Sequence, residues 1–292
     1  MRLIRLIQKK TQKALTNNLI NKFNIIFKAF LLSKKKDCNI DYVDIKFEKK
    51  TILANKNEVI RLLLDSTNLP KILEKGCFDS FIYKFLNKIK LKKSVFIDVG
   101  ANHGFVSKQI RDIKNLKKVY AFEPNPVLFD MLKQNLSDVT SKIYNYGWGS
   151  KNSKFFLWCN KFNSGDFSLI KNKSRTQSIK CQINECNNEF EKIYLSNKKC
   201  NFIIKTDCQG YDVEIFTKLK ERNLKKIKIY IMELNEIPEN KQNIFFKKAR
   251  LFDKFFICYD PVNQEKIKKI KFEDIRNNIN KKKEFDLIML RK

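Results

Sequence analysis

The sequence predicts an α/β fold: a mostly parallel sheet of seven strands flanked by helices, the last strand antiparallel, behind an N-terminal helical extension. Three observations lead there. From residue 94 onward, short apolar runs alternate with segments of helical periodicity, the pattern of strands joined by crossover helices. The first run passes directly into a turn holding Gly100 and Gly104 and then into a helical segment, the order of a ligand-binding strand–turn–helix unit. A polar stretch at 277–283 leads to the final run, and a strand reached from its neighbour through a loop pairs antiparallel.

Residues 1–36 place Leu3, Ile4, Ile7, Leu15, Leu19, Ile20, Phe23, Ile26, Phe27 and Phe30 at near-helical spacing among Lys and Arg. They read as one or two basic amphipathic helices, suited to docking on the main domain or a second subunit, or to peripheral contact with an anionic membrane. The run Lys34-Lys35-Lys36 and Asp37 mark a boundary, which gives an extension at 1–40 and a lead-in segment at 41–93. The lead-in carries a strand pattern at 43–52 and helical patterns at 58–64 and 78–89. The domain proper is 94–292, with strands expected at 94–98, 118–122, 142–146, 202–207, 227–233, 255–259 and 285–290.

Composition limits the function classes. The chain of 292 residues is 43% hydrophobic with 25 Phe, enough for a core despite its 32% charged residues. A formal charge of +30 suits a polyanionic partner. Yet of 61 basic residues only nine are Arg, and base and phosphate readers rely on the guanidinium fork. The abundance of Lys, Asn, Ile and Phe is also what an AT-rich coding sequence writes onto any surface. A nucleic-acid partner is therefore allowed but not favoured. The eight cysteines include no Cys-x-x-Cys pair, and the only His is His103, so no zinc site is expected. With no secretory pattern, reduced thiols in a cytoplasmic setting are the expectation. No apolar run approaches the roughly 18 residues of a membrane span, since Lys28 interrupts the best candidate at 24–32.

The chemistry-bearing signal is Ser-Val-Phe-Ile-Asp-Val-Gly-Ala-Asn-His-Gly-Phe at 94–105. Glycines in such a turn allow positive φ and close approach of the backbone to a ligand. The spacing is Gly-x-x-x-Gly, without the early Gly-x-Gly of pyrophosphate binders. Asp98, ending the first strand, is placed to meet a cationic amino end of a ligand. Glu123 follows at the end of the next strand, 19 residues after Gly104, where a carboxylate can accept two ribose hydroxyls.

Four segments, Asp-Val-Gly-Ala-Asn-His-Gly (98–104), Ala-Phe-Glu-Pro-Asn-Pro (121–126), Ile-Lys-Thr-Asp-Cys-Gln-Gly-Tyr-Asp (204–212) and Met-Glu-Leu (232–234), occur in order at family-like spacing. Together they resemble the FkbM family of methyltransferases over about residues 75–292. The resemblance implies a Rossmann-like methyltransferase fold, S-adenosyl-L-methionine as cofactor, and O-methylation of a sugar, polysaccharide or natural product. By position it implies Asp98, Gly100, Asn102 and Gly104 around the methionine part of the cofactor and Glu123 at the ribose. Asn145 to Trp148 would lie at the adenine and Asp207 at the methyl-transfer end. The chain departs from the family at Ile183-Asn184-Glu185, where Leu-Asp-Glu often precedes the fourth core strand.

For such a transfer the expected proton acceptor is Asp207, with Glu233 and His103 as alternates. Asp207 and Glu233 at adjacent strand ends could raise each other's proton affinity; a divalent ion shared between them is the less favoured arrangement, and no metal is assigned. For Asp207 the structural alternative is capping of the following helix. Two rivals remain: an RNA or DNA methyltransferase, whose Asn/Asp-Pro-Pro-Tyr or Pro-Cys signatures are absent, and a non-catalytic cofactor-binding partner subunit. The acceptor and the oligomeric state are not encoded in any motif.

Overall fold

The computed structural model describes residues 15–16, 42–47, 49–63, 72, 75–137, 139–159, 167–171, 173, 177–234, 236–259, 266–280 and 284–292. Its centre is one eight-stranded sheet. In chain order the sheet is built from β4 (Ser94–Val99), β5 (Leu116–Phe122), β6 (Ser141–Tyr144), β11 (Asn201–Thr206), β12 (Ile227–Leu234), β13 (Lys254–Cys258), β14 (Ile267–Ile270) and β15 (Phe285–Leu290). The spatial order is β14-β13-β15-β12-β11-β4-β5-β6. Neighbours from β12 to β6 run parallel, while β15 inserts antiparallel between β12 and β13.

Burial of both sheet faces explains why these strands form. Every residue of β4 is buried; Val95, Ile97 and Val99 enter one core cluster while Phe96 enters the other. In β12, Tyr230, Met232 and Leu234 face the first cluster and Ile229 and Ile231 the second. Strands covered on both sides read as continuous apolar runs, which is why the sequence located them. The covering helices include α1 (Ser80–Lys88), α2 (Phe105–Gln109), α3 (Pro126–Asn135), α4 (Cys186–Ser196), α5 (Asp212–Lys218), α6 (Glu221–Leu224), α7 (Glu239–Ala249) and α8 (Phe272–Asn280). Pro126 and the N-cap Asn125, whose side chain accepts from Val127 N at 3.0 Å, start α3.

Several expectations are corrected. The sheet has an eighth strand, because β14 pairs antiparallel with β13. The polar stretch expected as a loop at 277–283 is helical up to Asn280, since Phe272 and Ile275 anchor α8 on the core; β15 is antiparallel all the same. The strand expected at 142–146 ends at Tyr144. The chain then enters β7 (Gly147–Gly149), which joins β8 (Ser153–Cys159), β9 (Phe167–Ser168) and β10 (Gln177–Glu185) in a second sheet ordered β7-β10-β8-β9.

In the lead-in segment, the described part of the helix expected at 58–64, residues 58–63, is not helical. It holds strand β3 (Val59–Leu63), paired antiparallel with β2 (Tyr42–Lys46). Ile60 is buried between the more open Val59 and Arg61, with Leu62 and Leu63 buried beyond, and pairing with β2 makes the run a strand rather than a helix. The strand expected at 43–52 is β2 alone. Leu15–Thr16 form a two-residue strand, β1, parallel to β2, so at those positions the expected helix is absent. The rest of the 1–36 segment lies outside the described residues. Among the described residues no helix is long and apolar enough to cross a membrane, and no disulfide joins the described cysteines.

Candidate active site

β4 has β5 on one side and β11 on the other, so the strand order reverses beside it. Ligands of open α/β sheets sit at such a switch, beyond the C-terminal strand ends. The turn after β4 occupies that place. The Gly100 and Ala101 amides both donate to Phe122 O at 3.0 Å, and Gly100, Asn102 and Gly104 have φ of +75°, +52° and +83°. A Cβ on Gly100 would lie 2.1 Å from the Asp207 carbonyl oxygen, and one on Gly104 would lie 2.7 Å from Leu132 Cδ1. Both glycines thus serve close packing within the protein, a stricter demand than approach to a ligand.

Glu123 closes the turn. Its Oε2 accepts from Asn102 N and its Oε1 from Asn125 N, each at 2.8 Å. Burial pushes its carboxyl up to about 7 against these two amides. Each oxygen keeps a lone-pair site for a ribose hydroxyl. Asn145, exposed at the end of β6, donates through Nδ2 to Glu123 O at 2.9 Å. Trp148 is interior: it packs edge-on against Phe122 at 5.2 Å, and its Nε1–H has no acceptor among the described residues. Its ring is core and presents no open face to an adenine.

Asp98 is fully buried. Ser107 Oγ donates to its Oδ2 at 2.6 Å, while Oδ1 has no directed hydrogen bond among the described residues and lies 3.3 Å from Lys205 Nζ. Lys205 lies within the 204–212 segment, and sequence alone assigns it no role. Its ammonium also lies 3.3 Å from Asp207 Oδ2 and donates to Gly100 O at 3.4 Å. Burial alone would lower its proton affinity, but Asp98 and Asp207 more than reverse this, and it stays charged. A lone Lys inside the run Phe-Ile-Ile-Lys was the available signal, because a lysine in a two-face-buried strand needs partners.

Asp207 is 27% exposed, more open than Lys205 or Asp98, and its Oδ1 accepts from Gln209 Nε2 at 3.1 Å. The same nitrogen donates to Glu233 Oε2 at 3.0 Å. Burial, then Asp207 and Glu284, hold the Glu233 carboxyl well above its ordinary range. Asp286, opposite Glu233 in register, is raised for the same leading reason. The turn into α5 is fastened by Asp212, which accepts from Cys208 N; the Asp207 side chain instead meets Lys205 and Gln209.

His103 points elsewhere. Its Nε2 accepts from Leu63 N at 3.1 Å and its ring stacks on Phe105 at 4.9 Å. The lone pair a general base needs is engaged by β3. At the departure from the family pattern, Glu185 caps α4 by accepting from Asn187 N and Asn188 N, and Asn184 Nδ2 donates to Glu189 Oε1 at 3.2 Å. Among the described residues no group of three or more His, Cys, Asp or Glu is arranged to hold a metal.

A family model described as the methyltransferase FkbM domain matches residues 98–282, more than half of the chain. The chain belongs to the FkbM methyltransferase family. Its cofactor is accordingly S-adenosylmethionine, and the turn fits that group: an FkbM domain can offer the undirected oxygen of Asp98 to the amino end and Glu123 to the ribose. No curated protein matches the sequence. Similar solved structures include the precorrin-6y C5,15-methyltransferase of Geobacter metallireducens GS-15, with TM-score 0.35, 10% identity and 72% and 87% of the two chains covered. An rRNA methylase of Streptococcus thermophilus gives 0.36, 14%, 72% and 93%. M. capricolum TrmK in complex with S-adenosyl-homocysteine gives 0.34, 12%, 73% and 68%. Likenesses of that size carry no weight for the FkbM domain, whose assignment rests on the family match.

Proposed function

We propose that the chain O-methylates a hydroxyl of a sugar, polysaccharide or natural-product acceptor, with Asp207 receiving the hydroxyl proton. The observation that carries this reading is the contrast among the acids at the strand ends. Asp98 is fully buried and Glu123 nearly so, both committed to the turn, whereas Asp207 is partly open and flanked by Lys205 and Gln209.

When bound, S-adenosylmethionine supplies a methyl group already activated by its sulfonium. The protein's part is then orientation, exclusion of water and disposal of one proton. Lys205 bridges the cofactor turn and the proton acceptor through Gly100 O, Asp98 and Asp207, so the two ends of the site are held by one buried side chain. Asp207 would receive the proton that the acceptor hydroxyl gives up and could return it to solvent from its exposed edge.

The test is methyl transfer from tritium-labelled S-adenosylmethionine to neutral and acidic polysaccharides, small polyols and total RNA in parallel. Label in an alkali-stable ether of a glycan or polyol supports the reading. Label confined to RNA bases would replace it with nucleic-acid methylation.

A further inference from the structure

Gln209 occupies a conformation that its residue type resists. Its φ is +51°, in the left-handed region, and Gly210 follows at +94°. Such positions favour Gly or Asn, and holding a residue such as Gln there costs about 1 kcal/mol or more. The surroundings hold it nonetheless: Ser168 Oγ, from β9 of the second sheet, donates to Gln209 O at 2.8 Å, and Cys208 N donates to the Asp212 carboxylate. What the strained backbone achieves is the placement of one amide nitrogen, 3.1 Å from Asp207 Oδ1 and 3.0 Å from Glu233 Oε2. A primary amide has two N–H donors, and here each has a carboxylate. The two acids stand at the ends of adjacent parallel strands, and the shared donor occupies the place between them that a bridging cation would take.

We propose that Gln209 is a positioning residue for methyl transfer, an amide clamp that binds Asp207 and Glu233 into one unit with Asp207 as its outward, proton-accepting member. The proposal rests on the O-methyltransferase reading above. Asp207 is the member beside an ammonium, Lys205 of β11, and its side chain is 27% exposed. Glu233 faces further acids: Asp212 of α5, with Glu284 and Asp286 at the start of β15; Asp286 in turn faces Asp79, ahead of α1. Asp98 of β4 lies on the far side of Lys205. Burial and these acids hold the Glu233 carboxyl well above its ordinary range, while Lys205 and the clamp fix the Asp207 side chain beside the cofactor turn.

The test follows the Asp and Glu carboxyl carbons of the full chain by carbon-13 resonance as pH is varied, with Asp207→Asn and Glu233→Gln as assignment controls. Gln209→Leu removes both donors. Gln209→Asn keeps an amide too short to reach both acids and suits the left-handed backbone, so it folds even if the Leu variant does not. In either variant the proton affinity of the pair should rise about tenfold, the effect of one lost charge-assisted hydrogen bond. Affinity for S-adenosylhomocysteine by calorimetry should stay unchanged. Titration curves of folded Gln209→Asn that superimpose on wild type overturn the clamp. A wild-type chain that does not bind S-adenosylhomocysteine overturns instead the functional reading on which it rests.

Discussion

The side-chain amide of Asn135 and the backbone of Arg61 exchange hydrogen bonds in both directions: Asn135 Oδ1 accepts from Arg61 N at 2.8 Å and Asn135 Nδ2 donates to Arg61 O at 2.7 Å. The same Nδ2 donates to His103 O at 2.8 Å. One buried side chain at the end of α3 thus fastens strand β3 to the cofactor turn. Glu58, just before β3, adds ion pairs to Lys108 and Arg111 at the end of α2. The lead-in segment is part of the scaffold that shapes the turn.

Asn135→Ala should therefore destabilise the protein by about 2 to 4 kcal/mol, because it leaves one buried donor and two carbonyls without their partner. Urea unfolding measures the loss. Weaker S-adenosylhomocysteine binding should accompany it, since the His103 carbonyl is released. Wild-type stability in the variant would show that β3 merely lies against the turn.

Glu123 sets a pH dependence. Its carboxyl, near 4.5 in the ordinary case, is held at about 7 by burial. A raised carboxyl contributes stability that is full below its unfolded value and is lost as pH rises through the folded one. Stability of the cofactor-free protein should accordingly fall between about pH 5 and about pH 8, less steeply in Glu123→Gln. Asp212, raised to about 6 mainly by burial, acts in the same direction. Ribose hydroxyls donate to the ionised form, so S-adenosylhomocysteine binding below about pH 7 should release a proton from wild type but not from Glu123→Gln. Calorimetry in buffers of different ionisation heat reads this directly.

The two turn glycines should differ in cost. In Gly100→Ala the new methyl group meets a backbone carbonyl that cannot swing aside, at φ +75°; a loss of about 3 kcal/mol or more, or failure to fold, is expected. In Gly104→Ala it meets the tip of Leu132, which can rotate, and about 1 to 2 kcal/mol is expected. Melting temperatures order the two. Equal losses would mean that φ alone, and not contact with Asp207, limits Gly100.

Asp207→Asn and His103→Gln separate the candidate proton acceptors. The first should lower methyl transfer about a hundredfold with S-adenosylhomocysteine affinity preserved. The second should lower the melting temperature while leaving turnover near wild type, because His103 Nε2 serves Leu63 N. A reversed pattern would return the base to His103.

By itself the sequence determined the central strands and the cofactor motifs. Strands such as β4 and β12 are buried on both faces, so their apolar runs mark them without any long-range information. Asp98, Glu123 and Asp207 stand immediately after or at the end of such strands, and their positions followed from the same runs. Tertiary structure alone decided the rest. The run Val-Ile-Arg-Leu-Leu at 59–63 satisfies a helix and a strand equally, and only pairing with β2 makes it a strand. β8 alternates buried with more open residues and β7 is only Gly-Trp-Gly, so the second sheet left no continuous apolar signal. The purpose of Gly100 depends on a carbonyl more than a hundred residues away. Lys205 and Gln209 look in sequence like ordinary polar residues; they become site residues because the order β12-β11-β4 brings Asp98, Asp207 and Glu233 within reach of one ammonium and one amide. Contacts between strand ends depend on how the strands are ordered, and periodicity along one strand carries no record of its neighbours.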